Sequence, residues 1–302
     1  MTPDPTDIDR LIDTALVEDL GKNGEAWNVV GDITGHAVIP EDAELEAALT
    51  TREDVVVAGL DVALAVFRRL DPEAVLEPRV HDGDHAASAT VLARIKGDAR
   101  ALLAGERTAL NFVQHLSGIA TLTRAYVEKI KGTGCVLLDT RKTIPGLRAL
   151  AKYATHTGGA RNHRLGLHDG VLIKDNHIAV AGDVGEAVAR ARDVGLSDIE
   201  VECDTLDQAQ EALEAGADVL LLDNMDTNTL RQAVALRDKS ADTGAKLEAS
   251  GGVTIETIRA IAETGVDFIS VGRITQSAPA ADMGLDFTAR EGAEEEDKKK
   301  DD

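Results

Sequence analysis

The chain has 302 residues, a formal net charge of −22 at pH 7, two cysteines and 2% aromatic residues. A surface this acidic repels nucleic acid, and an acidic start without any apolar run of about 18 residues predicts neither a signal peptide nor a membrane-spanning helix. Both cysteines lie in apolar runs and predict buried thiols in a reducing cytoplasm, and we interpret the acidic excess as an adaptation to high salt.

The first third of the chain predicts a small α+β domain. Residues 7–20 repeat apolar side chains on one face, which is the pattern of an amphipathic helix. Between residues 37 and 103, short apolar runs alternate with Asp-Gly turns such as 82–84, and residues 61–70 have a helical pattern. Residues 104–131 form one long predicted helix that links the two halves of the chain.

After Gly134 the pattern changes to apolar strands that alternate with amphipathic helices. The predicted strands are 135–140, 170–175, 199–204, 219–224, 246–252 and 268–273. The predicted helices lie near 182–195, 205–216, 227–243 and 254–264. This alternation predicts parallel β/α units, either in a barrel or in an open doubly wound sheet. The segment RNHRLGL at 161–167 is a candidate seventh strand.

Polar residues stand at the carboxyl end of each predicted strand. They are Asp139, Arg141 and Lys142; Lys174; Glu202; Asp223 and Asn224; Ser250, Gly251 and Gly252; and Gly272 and Arg273. The carboxyl ends of parallel strands meet at one rim of a β/α fold, and sites are built there. The sequence therefore predicts a functional site at this rim.

The segment 139–178 reverses the charge of the rest of the chain. It contains seven Lys or Arg against three Asp, and four of the eight histidines. A cationic segment in an acidic chain concentrates anions, so we expect a pocket for a small and highly negative substrate.

Two kinds of anion contact are predicted at the rim. The glycines after Ser250 and the glycine at 272 let backbone approach a ligand closely and favour a phosphate site. Glu202 and Asp223 could hold sugar hydroxyls or, together with phosphates, a magnesium ion. Glu200 is interpreted as a buried structural partner for a lysine or an arginine. No arrangement for nucleophilic catalysis is evident, and the set of residues suits electrostatic catalysis.

Several motifs together resemble quinolinate phosphoribosyltransferase: GERTALNFVQHLSGIAT, DTRKTIPGLR, NHR, LIKDNHI, IEVEC, LLLDNM and EASGG. The resemblance implies an α/β fold, an open seven-stranded α/β barrel at 109–277 with an N-terminal α/β sandwich domain at 1–108. Residues 278–290 would return to that N-terminal domain, and 291–302 would be a disordered charged tail.

The resemblance also implies roles for particular residues. Arg107 resembles an arginine offered to the quinolinate site by a neighbouring subunit. The residues that resemble the clamp for the ring carboxylates are Thr140, Arg141, His163 and Arg164. Lys142 and Lys174 resemble the lysines that face the carboxylates and the diphosphate. Glu202 and Asp223 resemble the acids that hold the ribose hydroxyls and magnesium, and with Lys142 they are the predicted catalytic residues. The 5-phosphate site is implied at Ser250, Gly251, Gly252 and Gly272.

The implied reaction joins quinolinate to phosphoribosyl pyrophosphate and releases pyrophosphate and CO2, leaving nicotinate mononucleotide for NAD biosynthesis. The implied cofactor is Mg²⁺, with no organic cofactor, and the implied assembly is a homodimer or hexamer with a shared active site. The chain departs from the family pattern in a longer loop at 21–31 and in Arg273, whose role the sequence leaves open.

Three alternatives remain at this point. A paralogue of the same fold would act on another anionic ring. A β/α-barrel aldolase would use Lys174 to form a Schiff base. A non-catalytic module would bind an anion without turnover.

Overall fold

The computed structural model describes residues 4–23, 26–27, 31–240 and 244–287. The chain divides into two compact units, one formed by Ile119–Ala278 and the other by the described residues before and after it. The sequence placed this boundary earlier, after residue 108. The division falls within one continuous helix, and nothing in the hydrophobic pattern of a helix marks where it passes between units. The predicted tail at 291–302 lies outside the described residues.

The elements follow in chain order. Those up to the dividing helix are α1 Pro5–Leu20, β1 Lys22–Asn23, β2 Ala26–Trp27, α2 Ile33–Val38, β3 Glu44–Thr51, β4 Val55–Val56, α3 Leu60–Leu70, β5 Val75–Pro78, β6 His85–Ala86, β7 Val91–Asp98 and α4 Ala99–Ile130. Those after it are β8 Val136–Leu138, α5 Arg148–Gly158, β9 Val171–Ile173, α6 Asp175–Ala181, α7 Val184–Asp193, β10 Ile199–Cys203, α8 Leu206–Glu214, β11 Val219–Asp223, α9 Thr227–Lys239, β12 Lys246–Ser250, α10 Ile258–Ala262, β13 Phe268–Ser270, α11 Arg273–Gln276 and β14 Met283–Phe287.

The N-terminal unit is built on an antiparallel sheet of four strands in the order β14-β3-β7-β5. Helix α1 begins at a strong cap, because the Asp4 carboxylate accepts a hydrogen bond of 2.8 Å from the Thr6 N–H and proline occupies the first helical position. Its face with Ile12 and Leu16 is fully buried, as the predicted amphipathic pattern requires. The last strand returns to this unit, since β14 pairs with β3.

The second unit contains a parallel sheet of six strands in the order β8-β13-β12-β11-β10-β9. Strands β8 and β9 are consecutive in the chain and form the two edges of the sheet, so the barrel-like arrangement stays open between them. The predicted α/β class and the barrel-like second unit are confirmed. The candidate seventh strand is reduced to one parallel bridge between Leu138 and Arg161, beside β8.

Two aspartates each join the amino end of the strand that they precede to the amino end of the adjacent strand. Asp218 accepts a hydrogen bond of 2.7 Å from the backbone N–H of Ile199, and Asp267 accepts one of 3.0 Å from that of Leu247. Each aspartate follows a helix end at a glycine with positive φ, 78° at Gly216 and 97° at the equivalent Gly265. The Gly-Ala-Asp and Gly-Val-Asp motifs therefore align the parallel strands at their amino ends. The carboxyl ends, at the opposite edge of the sheet, remain available for a site.

The structure corrects the predicted helices in two places. The helix predicted at 254–264 is only Ile258–Ala262, because residues 255–257 form a turn first. Helices α5 and α6 were not predicted. Their segment is rich in charge, and Lys152 occupies a fully buried position of α5, where a lysine hides the apolar pattern. Within the described residues, no helix combines the length and hydropathy needed to span a membrane.

Candidate active site

A cavity of about 450 Å³ opens at the carboxyl ends of the parallel strands in the second unit. Its lining consists of Thr140, Arg141, Lys142, His163, Arg164, Leu172, Lys174, Glu202, Leu221, Asp223, Glu248, Ser250 and Ser270. A second cavity of about 200 Å³ shares Thr140, Lys142, Ser250 and Ser270 with it and is otherwise lined by residues 251–254 and 271–273 and by Gln276. The predicted rim is thus a continuous hollow.

Two guanidinium groups define one end of the larger cavity. Burial, and then the positive charge of Arg141, lower the pKa of Arg164. Arg164 donates a hydrogen bond of 3.0 Å to the carbonyl of Gly170. The Nε of Arg141 is buried and has no hydrogen-bond partner among the described residues. Two cations that repel each other, one with an unused donor, form a site that an anion would stabilise.

A buried ion pair holds the backbone beneath these arginines. Lys152 and Asp139 are both fully buried, and the Lys152 Nζ lies 2.5 Å from Asp139 Oδ1. The same ammonium donates to the carbonyl of His163 at 2.7 Å, and Asp139 Oδ1 accepts the His163 N–H at 2.9 Å. The other oxygen of Asp139 accepts from Thr155 at 2.8 Å and from Asn162 at 2.7 Å. This network fixes the position of the segment that carries His163 and Arg164.

His163 and Glu248 line the larger cavity, and together with Glu200 they form a cluster at its floor. The Nε2 of His163 lies 3.0 Å from Glu200 Oε2 and 3.6 Å from Glu248 Oε2. Burial lowers the pKa of His163, but the hydrogen bond and charge of Glu200 with the charge of Glu248 raise it by more. Burial, and then the negative charge of Glu200, raise the pKa of Glu248 to about 8.

The three ligand atoms of this cluster lie close enough to surround a metal ion, but the hydrogen bonding of the imidazole opposes that use. The Nδ1 of His163 accepts a hydrogen bond of 2.9 Å from the backbone N–H of Arg164. A neutral imidazole carries one hydrogen, so that hydrogen must be on Nε2, where it points at the carboxylates. Nε2 is therefore a donor here and not a metal ligand, and a proton on Nδ1 would face another N–H.

A second acidic group lies nearer the cavity mouth, at the ends of β10 and β11. Carboxylate oxygens of Glu202, Asp204 and Asp223 all lie within 4.8 Å of one another. The ammonium of Lys174 forms an ion pair with Glu202. Three hard oxygen donors, partly open to solvent, fit a magnesium ion that keeps several of its waters.

The smaller cavity is built from backbone that carries little side chain. Gly251 has φ 90°, and a Cβ there would lie 2.1 Å from the Asn224 side-chain oxygen. At Gly272 a Cβ would lie 2.7 Å from the Lys142 Cδ. The hydroxyl of Thr275 donates to the carbonyl of Lys142 at 2.6 Å, which holds these two loops together. Gly251 is required by space as well as by backbone conformation, whereas Gly272 has a φ of −69° and a side chain there would have to displace Lys142.

The structure brings together all but one of the predicted site residues. The exception is Arg107, whose side chain is exposed on α4 in the N-terminal unit and does not line the cavity. Arg273, whose role the sequence left open, lines the smaller cavity. Glu200 was expected to pair with a lysine or an arginine, but its partner is His163.

Sequence reasoning missed Glu248, Ser270, Leu172 and Leu221. Glu248 could have been found from the strand period, since it lies two residues before Ser250 and so faces the same side of β12. An inward-facing glutamate in a buried strand is unusual and marks a candidate functional group.

Family comparisons cover both units of the chain. Residues 119–286 match the family described as "Quinolinate phosphoribosyl transferase, C-terminal domain", and residues 32–117 match the corresponding N-terminal domain family. These limits meet where the structure divides into its two units.

Individual relatives span nearly the whole chain. It is 39% identical to a "Probable nicotinate-nucleotide pyrophosphorylase [carboxylating]" of Bacillus subtilis over 96% of each sequence. It is 44% identical to a "Nicotinate-nucleotide pyrophosphorylase [carboxylating]" of Mycobacterium leprae over 85% of this chain and 91% of the relative. The solved structure of the nicotinate-nucleotide pyrophosphorylase from Francisella tularensis is 38% identical, with a TM-score of 0.87 over 95% of this chain and 98% of that one.

Proposed function

The chain belongs to the quinolinate phosphoribosyltransferase family, and from this premise we propose that it transfers the phosphoribosyl group of phosphoribosyl pyrophosphate to quinolinate. The transfer is coupled to decarboxylation, and the products are nicotinate mononucleotide, pyrophosphate and CO2. The protein is thus a transferase of NAD biosynthesis. The observation that carries this proposal is the cavity in which two arginines, two lysines and three acids converge beside a glycine-lined pocket.

Quinolinate is a pyridine with two adjacent carboxylates, and the arginine end of the cavity suits it. Arg141 and Arg164 face each other closely enough for one to lower the pKa of the other, so a dianion between them relieves their repulsion. Planar guanidinium groups bind carboxylates through paired hydrogen bonds. Thr140 and His163 complete this wall, and apolar contact with Leu172 suits the ring face.

The sugar diphosphate is assigned to the rest of the hollow. Ser250, Gly251, Gly252 and Gly272 bind the 5-phosphate in the smaller cavity, and Arg273 adds a cation there. Glu202 and Asp223 would hold the ribose hydroxyls and a magnesium ion, which would supply positive charge to balance the pyrophosphate. Lys142 and Lys174 supply further positive charge, while the two acids stabilise positive charge that develops at the sugar carbon.

Chemistry in this arrangement is electrostatic. The pyridine nitrogen attacks the first carbon of the ribose as pyrophosphate leaves, so positive charge passes from the sugar to the ring nitrogen. The ring nitrogen, now positive, withdraws the electrons that remain when the neighbouring carboxylate is lost as CO2. The protein's part is to hold the ring and the sugar in line and to exclude water.

We assign Arg107 to the quinolinate site of a second subunit, in a homodimer or a hexamer. Its side chain is exposed on α4. If Arg107 acts across an interface, Arg107→Ala and Lys174→Ala chains, each inactive alone, recover part of the activity when they exchange subunits. Demonstrated exchange without recovery contradicts a shared site.

We also propose a cytoplasmic location. Cys135 and Cys203 are free thiols, and burial raises the pKa of each to about 12. Thiols held in this way are unreactive, which is consistent with a reducing compartment.

Product analysis tests the activity directly. Incubation with quinolinate, phosphoribosyl pyrophosphate and magnesium is expected to give nicotinate mononucleotide, pyrophosphate and CO2 in equal amounts. Turnover of another ring acid but not of quinolinate would identify a paralogue with a different substrate. Covalent trapping of Lys174 by borohydride with a carbonyl substrate would identify an aldolase instead, and tight binding of both substrates without products would identify a binding module.

A further inference from the structure

The cluster at the cavity floor contains two carboxyl groups, those of Glu200 and Glu248, and only one imidazole, that of His163. Glu200 and Glu248 are buried, with relative exposures of 6% and 1%, and they share one histidine. The Oε1 atom of each carboxyl group is buried without a hydrogen-bond partner among the described residues. Two ionised carboxylates would repel each other strongly here, because both are buried from solvent. The cluster must therefore carry an extra proton.

We assign the extra proton to Glu248. The hydrogen on Nε2 of His163 points at the carboxylates, and its Nδ1 accepts the backbone N–H of Arg164, so these hydrogen bonds favour the neutral imidazole, although Glu200 and Glu248 raise its pKa. Burial and the charge of Glu200 raise the pKa of Glu248 to about 8, which favours its protonated form. Ser270 and Glu200 both hydrogen-bond to it.

Glu248 also faces the place where a proton is needed. It lines the cavity, and on the strand it lies two residues below Ser250, at the depth of Leu221, with which it is in register. This level is below the acids and phosphate loop at the rim and beside the histidine of the quinolinate wall. The pyridine ring assigned to that wall is therefore within the same hollow as this carboxyl group.

Resting on the proposed function, we propose that Glu248 is the catalytic acid that delivers a proton to the ring carbon from which CO2 departs. The bond between ring carbon 2 and its carboxyl carbon breaks, CO2 leaves, and the electron pair stays on carbon 2 beside the positive ring nitrogen. Carbon 2 then takes the proton of the Glu248 carboxyl group. Water reprotonates the resulting carboxylate, so no oxidant or reductant is needed.

Other charged groups around Glu248 set the pH at which it works. Glu200 on β10 raises the pKa of Glu248, and the charge of His163, where present, lowers it. The remaining ionisable groups of the cavity are Arg141, Lys142, Arg164, Lys174, Glu202 and Asp223. Glu200 is a positioning residue in this scheme, since it acts through Glu248 and through the orientation of His163.

The test is hydrogen exchange at carbon 2 of preformed nicotinate mononucleotide bound to the protein in D2O. This is the reverse of the proposed proton delivery, and NMR of the recovered nucleotide measures it without turnover. Glu248→Gln is expected to lower the exchange rate about a hundredfold, the usual contribution of a general acid. Glu211→Gln, an exposed position on α8, is the matched control and leaves the rate unchanged. Equal exchange in wild type and Glu248→Gln overturns the proposal.

A second variant keeps the proposal testable if Glu248→Gln does not fold. Glu200→Gln removes the neighbouring negative charge, so the pKa of Glu248 falls and the rise of exchange with pH moves to lower pH. An unchanged pH profile in this variant also overturns the proposal.

Pyrophosphate release in a single turnover separates this inference from the proposed function. If wild type releases no pyrophosphate from quinolinate and phosphoribosyl pyrophosphate, the proposed function itself fails. If wild type and Glu248→Gln both release it but exchange at carbon 2 is the same in both, only the role of Glu248 fails.

Discussion

The two ends of the hollow prepare for anions in opposite ways. At the ring end, Arg141 and Arg164 bring long charged side chains together, and their mutual repulsion remains until an anion separates them. At the phosphate end, Gly251 and Gly272 withdraw side chains so that backbone can approach the ligand. One end depends on charge and the other on empty space, so each should fail under a different substitution.

Removing the guanidinium group of Arg141 or Arg164 should cause the largest loss of activity. Arg164→Ala or Arg141→Ala is expected to lower kcat/KM for quinolinate roughly a thousandfold, about 4 kcal/mol, because a carboxylate loses its charged partner. The KM for phosphoribosyl pyrophosphate should stay close to that of wild type, since this ligand occupies the other end. Steady-state kinetics with each substrate varied in turn measures both.

Arg190→Ala is the control for this pair of variants, because Arg190 lies on α7 in an exposed ion pair with Glu186. It should leave both constants unchanged. Unaltered kcat/KM for quinolinate in either site variant would show that the substituted arginine does not bind its carboxylates.

The charged end also needs a buried framework that the glycine end lacks. Lys152→Met leaves Asp139 buried without its cation, and breaking such a pair costs about 3 kcal/mol of the free energy of unfolding. Urea denaturation measures this loss. Asp139→Asn combined with Lys152→Met removes both charges and should recover part of it. If the double variant is no more stable than Lys152→Met, the unpaired charge is not the cause.

The fold was largely readable from the sequence because its apolar strands and Gly-x-Asp junctions repeat. All six parallel strands were predicted near their observed limits. The site at the strand ends followed from this repeat, together with the lining residues at or just after those ends, such as Lys142, Lys174 and Ser250. The framework beneath the arginines was not predictable, since Lys152 in α5 breaks a hydrophobic period and its partner Asp139 is remote in sequence.

The resemblance to a family added what periodicity lacks. It pointed to Arg107, which no pattern in its own helix distinguishes from other exposed arginines. Of the cluster at the cavity floor, Glu248 escaped both approaches. The histidine that it shares with Glu200 emerges only when β10 and β12 are placed in one sheet, with β11 between them.

Adding a methyl group should impair the phosphate end by a smaller amount. At Gly251, with φ 90°, Gly251→Ala places a Cβ 2.1 Å from Asn224, so both strain and a clash act on the loop. We expect the KM for phosphoribosyl pyrophosphate to rise roughly thirtyfold, about 2 kcal/mol, with less change for quinolinate. Gly252→Ala, at φ 61° with no neighbour within 4 Å, carries strain alone and should have a weaker effect. Equal effects would show that space does not limit this loop.

Salt should stabilise the fold but weaken the binding of quinolinate in the cavity. These changes should be smaller than those caused by the substitutions above. The chain carries a net charge of −22, so raising KCl screens repulsion between surface carboxylates and should raise Tm. The same salt weakens attraction between the arginine end and quinolinate, so the KM for quinolinate should rise severalfold between about 0.1 M and 1 M, where the Debye length falls from about 10 Å to 3 Å. Thermal unfolding and kinetics over one salt series measure both. Phosphoribosyl pyrophosphate is assigned to a site with Lys142, Lys174 and Arg273, so its KM should rise with salt as well. A KM for quinolinate that stays constant over the salt series would contradict attraction by the arginine end.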